Sequence, residues 1–297
     1  MSGRLGSYLA LATIGVAWGL TVPLGKIAVS TGHHPYGLIF WEMVLGMVLL
    51  GSALSIARKV PRLRPRGAIL AVFIALAGTV LPNYFSYTAA AQLPAGVMAI
   101  VIAIVPMFSM PIAIALGLER PQFLRLLGVL LGAGAIALIF GPSASLPDPA
   151  KAVFVLVALV APFCYGVEAN VLSWNGDAGL GPVGLLFWAS VAGFFIVTPL
   201  TFATGNWVDL RQSWTAAELA LFGLATLHIG AYCGYIWLVG AAGAVFASQV
   251  AYLVTASGVF WSIGLMGETY SGWIWGALVL MLAGIVLVSP KQVDAEQ

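Results

Sequence analysis

Residues 67 to 118 pass 52 positions without one Asp, Glu, Lys or Arg, and residues 219 to 267 do so again over 49. A soluble domain needs charge every few residues to clothe its surface, whereas a helix crossing about 30 Å of hydrocarbon needs about 20 residues free of it. Each run therefore holds two membrane spans. The first pair turns at Gln92-Leu-Pro-Ala-Gly96 and the second near Gly240-Ala-Ala-Gly243, where Pro and Gly cluster. The rest of the chain agrees: 12 Lys and Arg with 10 Asp and Glu make 7% of 297 residues, against about 25% in soluble domains. The solvent of such a chain is the lipid bilayer.

The same scarcity of charge excludes other classes. A net charge of +2 provides no basic face for nucleic acid. The two cysteines, Cys164 and Cys233, lie in apolar runs and make no disulfide scaffold. His33-His34 has no acidic or cysteine neighbour in sequence and predicts no metal site. The nucleotide-cradling pattern Gly-x-x-x-x-Gly-Lys-Ser/Thr does not occur, and no cofactor is expected.

With Pro, Gly and charge as punctuation, helices are predicted at 8–29, 36–57, 67–91, 95–117, 122–141, 150–172, 182–203, 217–240, 244–266 and 271–289. The first continues through Trp18-Gly19 without a polar cleavage region, so it reads as a retained span and not a signal peptide. Arg58, Lys59, Arg62, Arg64 and Arg66 crowd one loop, which places that loop in the cytoplasm. Ten crossings then put both termini there, together with Arg4, Arg120, Arg125 and Lys291. Lys26, Lys151 and Arg211 fall outside.

A shift of 147 residues superposes the halves. Pro35-Tyr-Gly-Leu-Ile-Phe-Trp41 matches Pro182-Val-Gly-Leu-Leu-Phe-Trp188, and Trp18-Gly19 falls on Tyr165-Gly166. One residue further on, Tyr84-Phe-Ser-Tyr87 falls on Tyr232-Cys-Gly-Tyr235 and Gly128 on Gly276. Each half holds five crossings, an odd number, so the second copy enters from the opposite side. The fold expected is an all-α polytopic membrane protein of ten transmembrane helices in two inverted five-helix repeats, residues 1–146 and 147–297, joined at Gly141-Pro-Ser-Ala-Ser-Leu-Pro-Asp-Pro149. Inverted repeats can exchange conformations and open a central site to each side in turn.

Trp18-Gly-Leu-Thr-Val-Pro-Leu-Gly-Lys26, the endings Gly-Leu-Glu119 and Gly-Glu268, and the five-helix duplication resemble the drug/metabolite transporter superfamily, most of all its EamA-type exporters of amino acids and other metabolites. The likeness spans the whole chain. It implies export of small organic solutes across an inner membrane. One position departs: Glu42 stands where such proteins often carry an Arg after the aromatic residues.

The candidate substrate residues are polar or aromatic groups inside predicted spans. His228, Tyr232 and Tyr235 share a helical face at i, i+4 and i+7, and Tyr84 and Tyr87 occupy the corresponding face of the third helix. Their phenols either line a shared cavity or bond to neighbouring carbonyls between helices. Trp18 and its repeat mate Tyr165 extend that face; Trp41 and Trp188, each a few residues inside a helix start, either line it or anchor at the interface, while Trp174, Trp207, Trp214 and Trp273 read as interfacial anchors. Lys26 and Glu42 lie at comparable depth and form either an ion pair or a coupling site. Glu168 faces a cavity mouth, couples to protons or sits at the interface; His228 is a neutral bonded ring or a titrating one. Asn83, Asn170, Ser248, Gln249 and Tyr252 add uncharged donors and acceptors that suit an amino acid. Gly128-Val-Leu-Leu-Gly132 reads as a helix-packing motif.

The function expected is secondary export of a small-molecule metabolite, an amino acid with aromatic or apolar bias. Efflux of lipophilic cations, with Glu42 or Glu168 as counter-charge, is the alternative. A simple channel is separated from both by saturable counterflow. An intramembrane enzyme is not expected, because no two Asp, His or Glu residues, and no Ser with such a base, fall at i, i+3 or i+4 within a span. Oligomeric state is not legible.

Overall fold

Backbone polar groups in hydrocarbon must bond within their own segment, which leaves an apolar chain the helix and the closed barrel. The computed structural model, which describes residues 2–242 and 244–288, takes the first course. Its helices are α1 (Ser2–Ala28), α2 (Pro35–Ile56), α3 (Pro65–Ala90), α4 (Ala95–Ala115) and α5 (Phe123–Phe140). A second set follows: α6 (Pro149–Asn175), α7 (Pro182–Ala203), α8 (Ala216–Ala242), α9 (Ala244–Ser248 and Val250–Met266) and α10 (Gly272–Val288). Short connections make successive helices antiparallel, so α1 begins and α10 ends on one side, here termed the terminal face.

The boundaries move in informative ways. Helix α1 begins at Ser2, not at residue 8, and so takes in Gly3 and Gly6. Helix α8 runs on through Gly240 to Ala242; Gly243, the rest of that expected turn, lies outside the described residues, as do residue 289 and Lys291. Four helices are interrupted, among them α6, which breaks at Leu159 ahead of Pro162. Helix α3 widens to a π-helix over Ala75–Val80, just before Pro82. Helix α4 breaks at Ala103 and Ile104, ahead of Pro106, and α9 breaks at Gln249. Helices α4 and α9 are repeat mates, and each is broken, at Ala103 and Ile104 in the one and at Gln249 in the other.

Packing obeys the repeat. Helix α1 lies against α8 and α9, and its mate α6 lies against α3 and α4; α2 pairs with α7, α5 with α10 and α4 with α9. Individual contacts reciprocate as well. Trp41 Nε1 donates to the Val208 carbonyl at 3.0 Å, and Trp188 Nε1 donates to the Pro61 carbonyl at 3.1 Å. Gly46 faces Ser190 while its mate Gly193 faces Met43, which is the repeat mate of Ser190. A Cβ on Gly19 would stand 2.1 Å from Ser257 Oγ and 2.9 Å from the Gly258 nitrogen; one on Gly166 would stand 3.0 Å from the Ser109 nitrogen. Small residues let backbones approach where lipid supplies no drive for helices to associate. The α5 motif does the same, Gly128 against Gly284 and Val288, Gly132 against Met107.

The apolar core forks. Away from the terminal face one cluster joins the central helices, from Ala28 of α1 and Leu38 of α2 through Ala89 of α3 and Ala158 of α6 to Val197, Leu221 and Val259 of α7, α8 and α9. Towards the terminal face that unity is lost. Leu70, Ile74, Leu185 and Ala189 form one prong on α3 and α7, and Leu11, Leu238, Ala247 and Val250 form another on α1, α8 and α9. The cleft between the prongs leads to mid-membrane.

Gly19→Val is expected to destabilise the detergent-solubilised protein by about 3 kcal/mol through overpacking, whereas Gly264→Ala, which meets no neighbour within 4 Å, leaves it unchanged or firmer; thermal unfolding compares the two.

Candidate functional site

Two unlike walls meet at the head of the cleft. The first comes from α2, α3 and α6. Glu42 is buried, two turns into α2, and its carboxylate accepts from the Tyr87 hydroxyl and, at 2.7 Å, from Asn83 Nδ2. The far side of the Asn83 amide accepts a long 3.4 Å bond from the Tyr165 hydroxyl of α6. One turn on, Glu168 aims its carboxylate at the π-helical part of α3, where a Cβ on Gly78 would meet Oε1 at 2.6 Å. Tyr165 lies within electrostatic range of both carboxylates, and Tyr232 of α8 within range of Glu168. Glu168 is half-buried and, among the described residues, makes no hydrogen bond or ion pair. The widened turn in α3 is what makes room for it, in keeping with the use of π-bulges at functional positions.

The second wall comes from α1 and α8. Trp18 Nε1 donates to His228 Nδ1 at 3.2 Å, and the edges of Tyr232 and Tyr235 approach the indole at centroid separations of 6.5 and 6.2 Å. His228 is exposed although it sits in the middle of α8, on the side turned to α1 and not on the lipid-facing stripe of Leu219 and Trp237. Accessible surface at that depth marks the head of the cleft. The bond to Trp18 requires an unprotonated Nδ1, so the ring is held as an acceptor.

Repeat symmetry makes the walls comparable, and their chemistry differs. Glu42 corresponds to Ala189, Glu168 to Thr21 and Asn83 to Ala231, so acidic and amide groups stand on one wall only. His228 corresponds to Val80.

Several sequence expectations fare differently. Lys26 and Glu42 do not pair. Lys26 Nζ turns to the end of α3, donating to the Ala90 carbonyl at 2.6 Å and to that of Ala91 at 3.3 Å, where it neutralises the negative end of a helix. Tyr84 leaves the cavity group and stacks by Tyr36 and His34 at the opposite face, with centroids 5.1 and 6.1 Å away, so the four phenols do not form a single ring. Ser248 closes the first piece of α9, and Tyr252 packs half-buried on the main core. Asn170 is spent inside the bundle on Ser109 and the Gly166 carbonyl, at 2.8 to 2.9 Å. His33 finds an acidic companion that its sequence neighbourhood lacks, Glu218 of α8 at 2.6 Å.

The opposite face is clasped by groups of known charge. Beside Lys26, Glu268 accepts from the Ala95 and Gly96 nitrogens at 2.8 and 3.2 Å, capping the start of α4, and Tyr270 bonds to both Glu268 and Gly96. In the adjoining loop Arg211 binds Asp209 through two 2.8 Å bonds and holds that carboxyl down to about 2. Ser173 occupies the place that corresponds to Lys26 on the terminal face, so the clasp there has no cation.

Ten crossings in two oppositely threaded halves, with a lined cleft at their seam, define a membrane transporter. The chain belongs to the EamA-like transporter family, whose model matches it twice, over residues 5–141 and 153–289. It is 27% identical over 289 residues to "Uncharacterized inner membrane transporter YedA" of Escherichia coli K12, covering 94% of this chain and 89% of that protein, and the same figures hold for YedA of Escherichia coli O157:H7. A solved structure titled "Crystal structure of protein" shares the fold, with a TM-score of 0.61 at 18% identity over 96% of this chain and 98% of the other.

Removing the Tyr87 hydroxyl leaves Glu42 buried with one donor fewer, an effect of about 1–3 kcal/mol. Tyr87→Phe is expected to lower the unfolding temperature, Glu42→Gln to recover part of the loss in the double variant, and a thermodynamic cycle to give a coupling of about 1 kcal/mol; additive losses would dissolve the network.

Proposed function

We propose that this chain is a secondary exporter that moves a small organic amine, with an aromatic or apolar body, through the cleft by alternating access. The single observation that carries the substrate class is Glu168, a carboxylate at membrane depth with no bonding partner, facing rings across the cleft. A carboxylate in that setting is stabilised by a cation, and aromatic faces favour the same charge. The expected amino acid and the alternative lipophilic cation share a positive charge; they differ in the carboxylate. Among the described residues placed on the two walls none is a cation, and Lys26 is held on backbone carbonyls, which favours amines and lipophilic cations over zwitterions.

In this reading residues 1–146 and 147–297 are the two moving copies, and the protein is a multi-pass component of an inner membrane, as YedA is named to be. The basic loop at residues 57–64 puts the terminal face in the cytoplasm, so the cleft receives its solute from inside. The amine meets Glu168 while its body lies against Trp18, Tyr232 and Tyr235. Closing the prongs then carries the pair past mid-membrane, and opening the clasp at Lys26 and Glu268 releases it.

Counterflow in proteoliposomes tests this. Phenethylamine or tetraphenylphosphonium is expected to show saturable exchange, with phenylalanine a poor competitor. Glu168→Gln is expected to lower exchange at least about tenfold, the loss of one charge-assisted contact, while Trp207→Ala does not. Equal exchange of phenethylamine by wild type and Glu168→Gln would refute the amine assignment.

A further inference from the structure

The loop between α2 and α3 has a chemistry that transport does not use. Within nine residues, 58 to 66, it carries Arg58, Lys59, Arg62, Arg64 and Arg66, and all five are exposed. Arg66 bonds to Asn175 at 3.0 Å; the other four side chains have no acidic or carbonyl partner among the described residues. The loop is nonetheless fixed. Trp188 holds the Pro61 carbonyl, Pro61 fits where Gly184 lacks a Cβ, and Arg58 turns the chain out of α2 at φ 53°. Apolar residues alternate with the cations and stay uncovered: Ile56 is 84% exposed, Val60 48% and Leu63 40%.

A held, unpaired set of cations with apolar side chains between them, at the end of a membrane helix, matches the boundary between anionic headgroups and acyl chains. Free phosphate would satisfy the cations and leave Ile56, Val60 and Leu63 in water. We propose that this loop is a binding site for anionic phospholipid, its guanidinium and ammonium groups on headgroup phosphates and its apolar residues in the acyl region beneath. Because Pro61 is tied to Trp188 of α7, lipid held there braces α2 against α7 on the terminal face.

The purified full-length chain in phosphatidylcholine vesicles containing spin-labelled phosphatidylglycerol tests this by the fraction of label immobilised at the protein. Enrichment of phosphatidylglycerol over spin-labelled phosphatidylcholine is expected, falling as salt rises. The variant Arg58→Gln/Lys59→Gln/Arg62→Gln/Arg64→Gln is expected to lower the relative affinity about tenfold or more. Val60→Ser/Leu63→Ser, with every charge kept, is expected to weaken it to a smaller degree. Inorganic phosphate at matched ionic strength is expected to displace no more label than chloride; full displacement by phosphate would assign the site to a free anion and overturn the lipid. Wild-type enrichment that ignores salt would overturn it too, whether or not the fourfold variant folds.

Discussion

Hydrocarbon offers a carboxylate nothing to bond with, and this chain keeps two carboxylates at membrane depth. It treats them in opposite ways. Glu42 is closed in and supplied with donors from α3, the Tyr87 hydroxyl and the Asn83 amide. Glu168 has no donor among the described residues and stays partly exposed instead. The space around Glu168 is therefore part of its stabilisation, since an anion there needs water or a visiting cation. The π-helical turn in α3, Gly78 and the fork in the core all serve to keep that space.

The twofold relation explains how the space can be moved across the membrane. Gly19 on Ser257 and Gly166 on Ser109, or Trp41 on Val208 and Trp188 on Pro61, are one contact made twice in opposite senses. Packing that is favourable for one copy is therefore repeated in the other. Departures from symmetry set the balance and the chemistry. Lys26 and Glu268 fasten the opposite face, and Ser173 leaves the terminal face without the corresponding cation.

What could be read from the sequence was what depends on composition and spacing. Uncharged runs gave the crossings, paired motifs such as Pro35 to Trp41 and Pro182 to Trp188 gave the repeat, and the glycines of α5 gave a seam. What could not be read was which polar groups meet. Glu42 finds Asn83 and Tyr87 41 and 45 residues away, while Lys26, its neighbour in depth, takes helix-end carbonyls 64 and 65 residues on. Helical periodicity assigns Tyr84 and Tyr87 to one face, but at i and i+3 they still diverge enough for one to reach Glu42 and the other Tyr36. The π-turn left no signal beyond a glycine, Gly78, that nothing local requires.

The account rests on one cleft that communicates with one side at a time. In a background with Cys164→Ala and Cys233→Ala, His228→Cys labelled by a membrane-impermeant maleimide reads that directly. The resting protein is expected to react from the terminal face alone and to gain reactivity from the opposite face only when a transported amine drives exchange. Simultaneous labelling from both faces in the resting state would describe a pore and contradict the account, as would labelling from the opposite face alone.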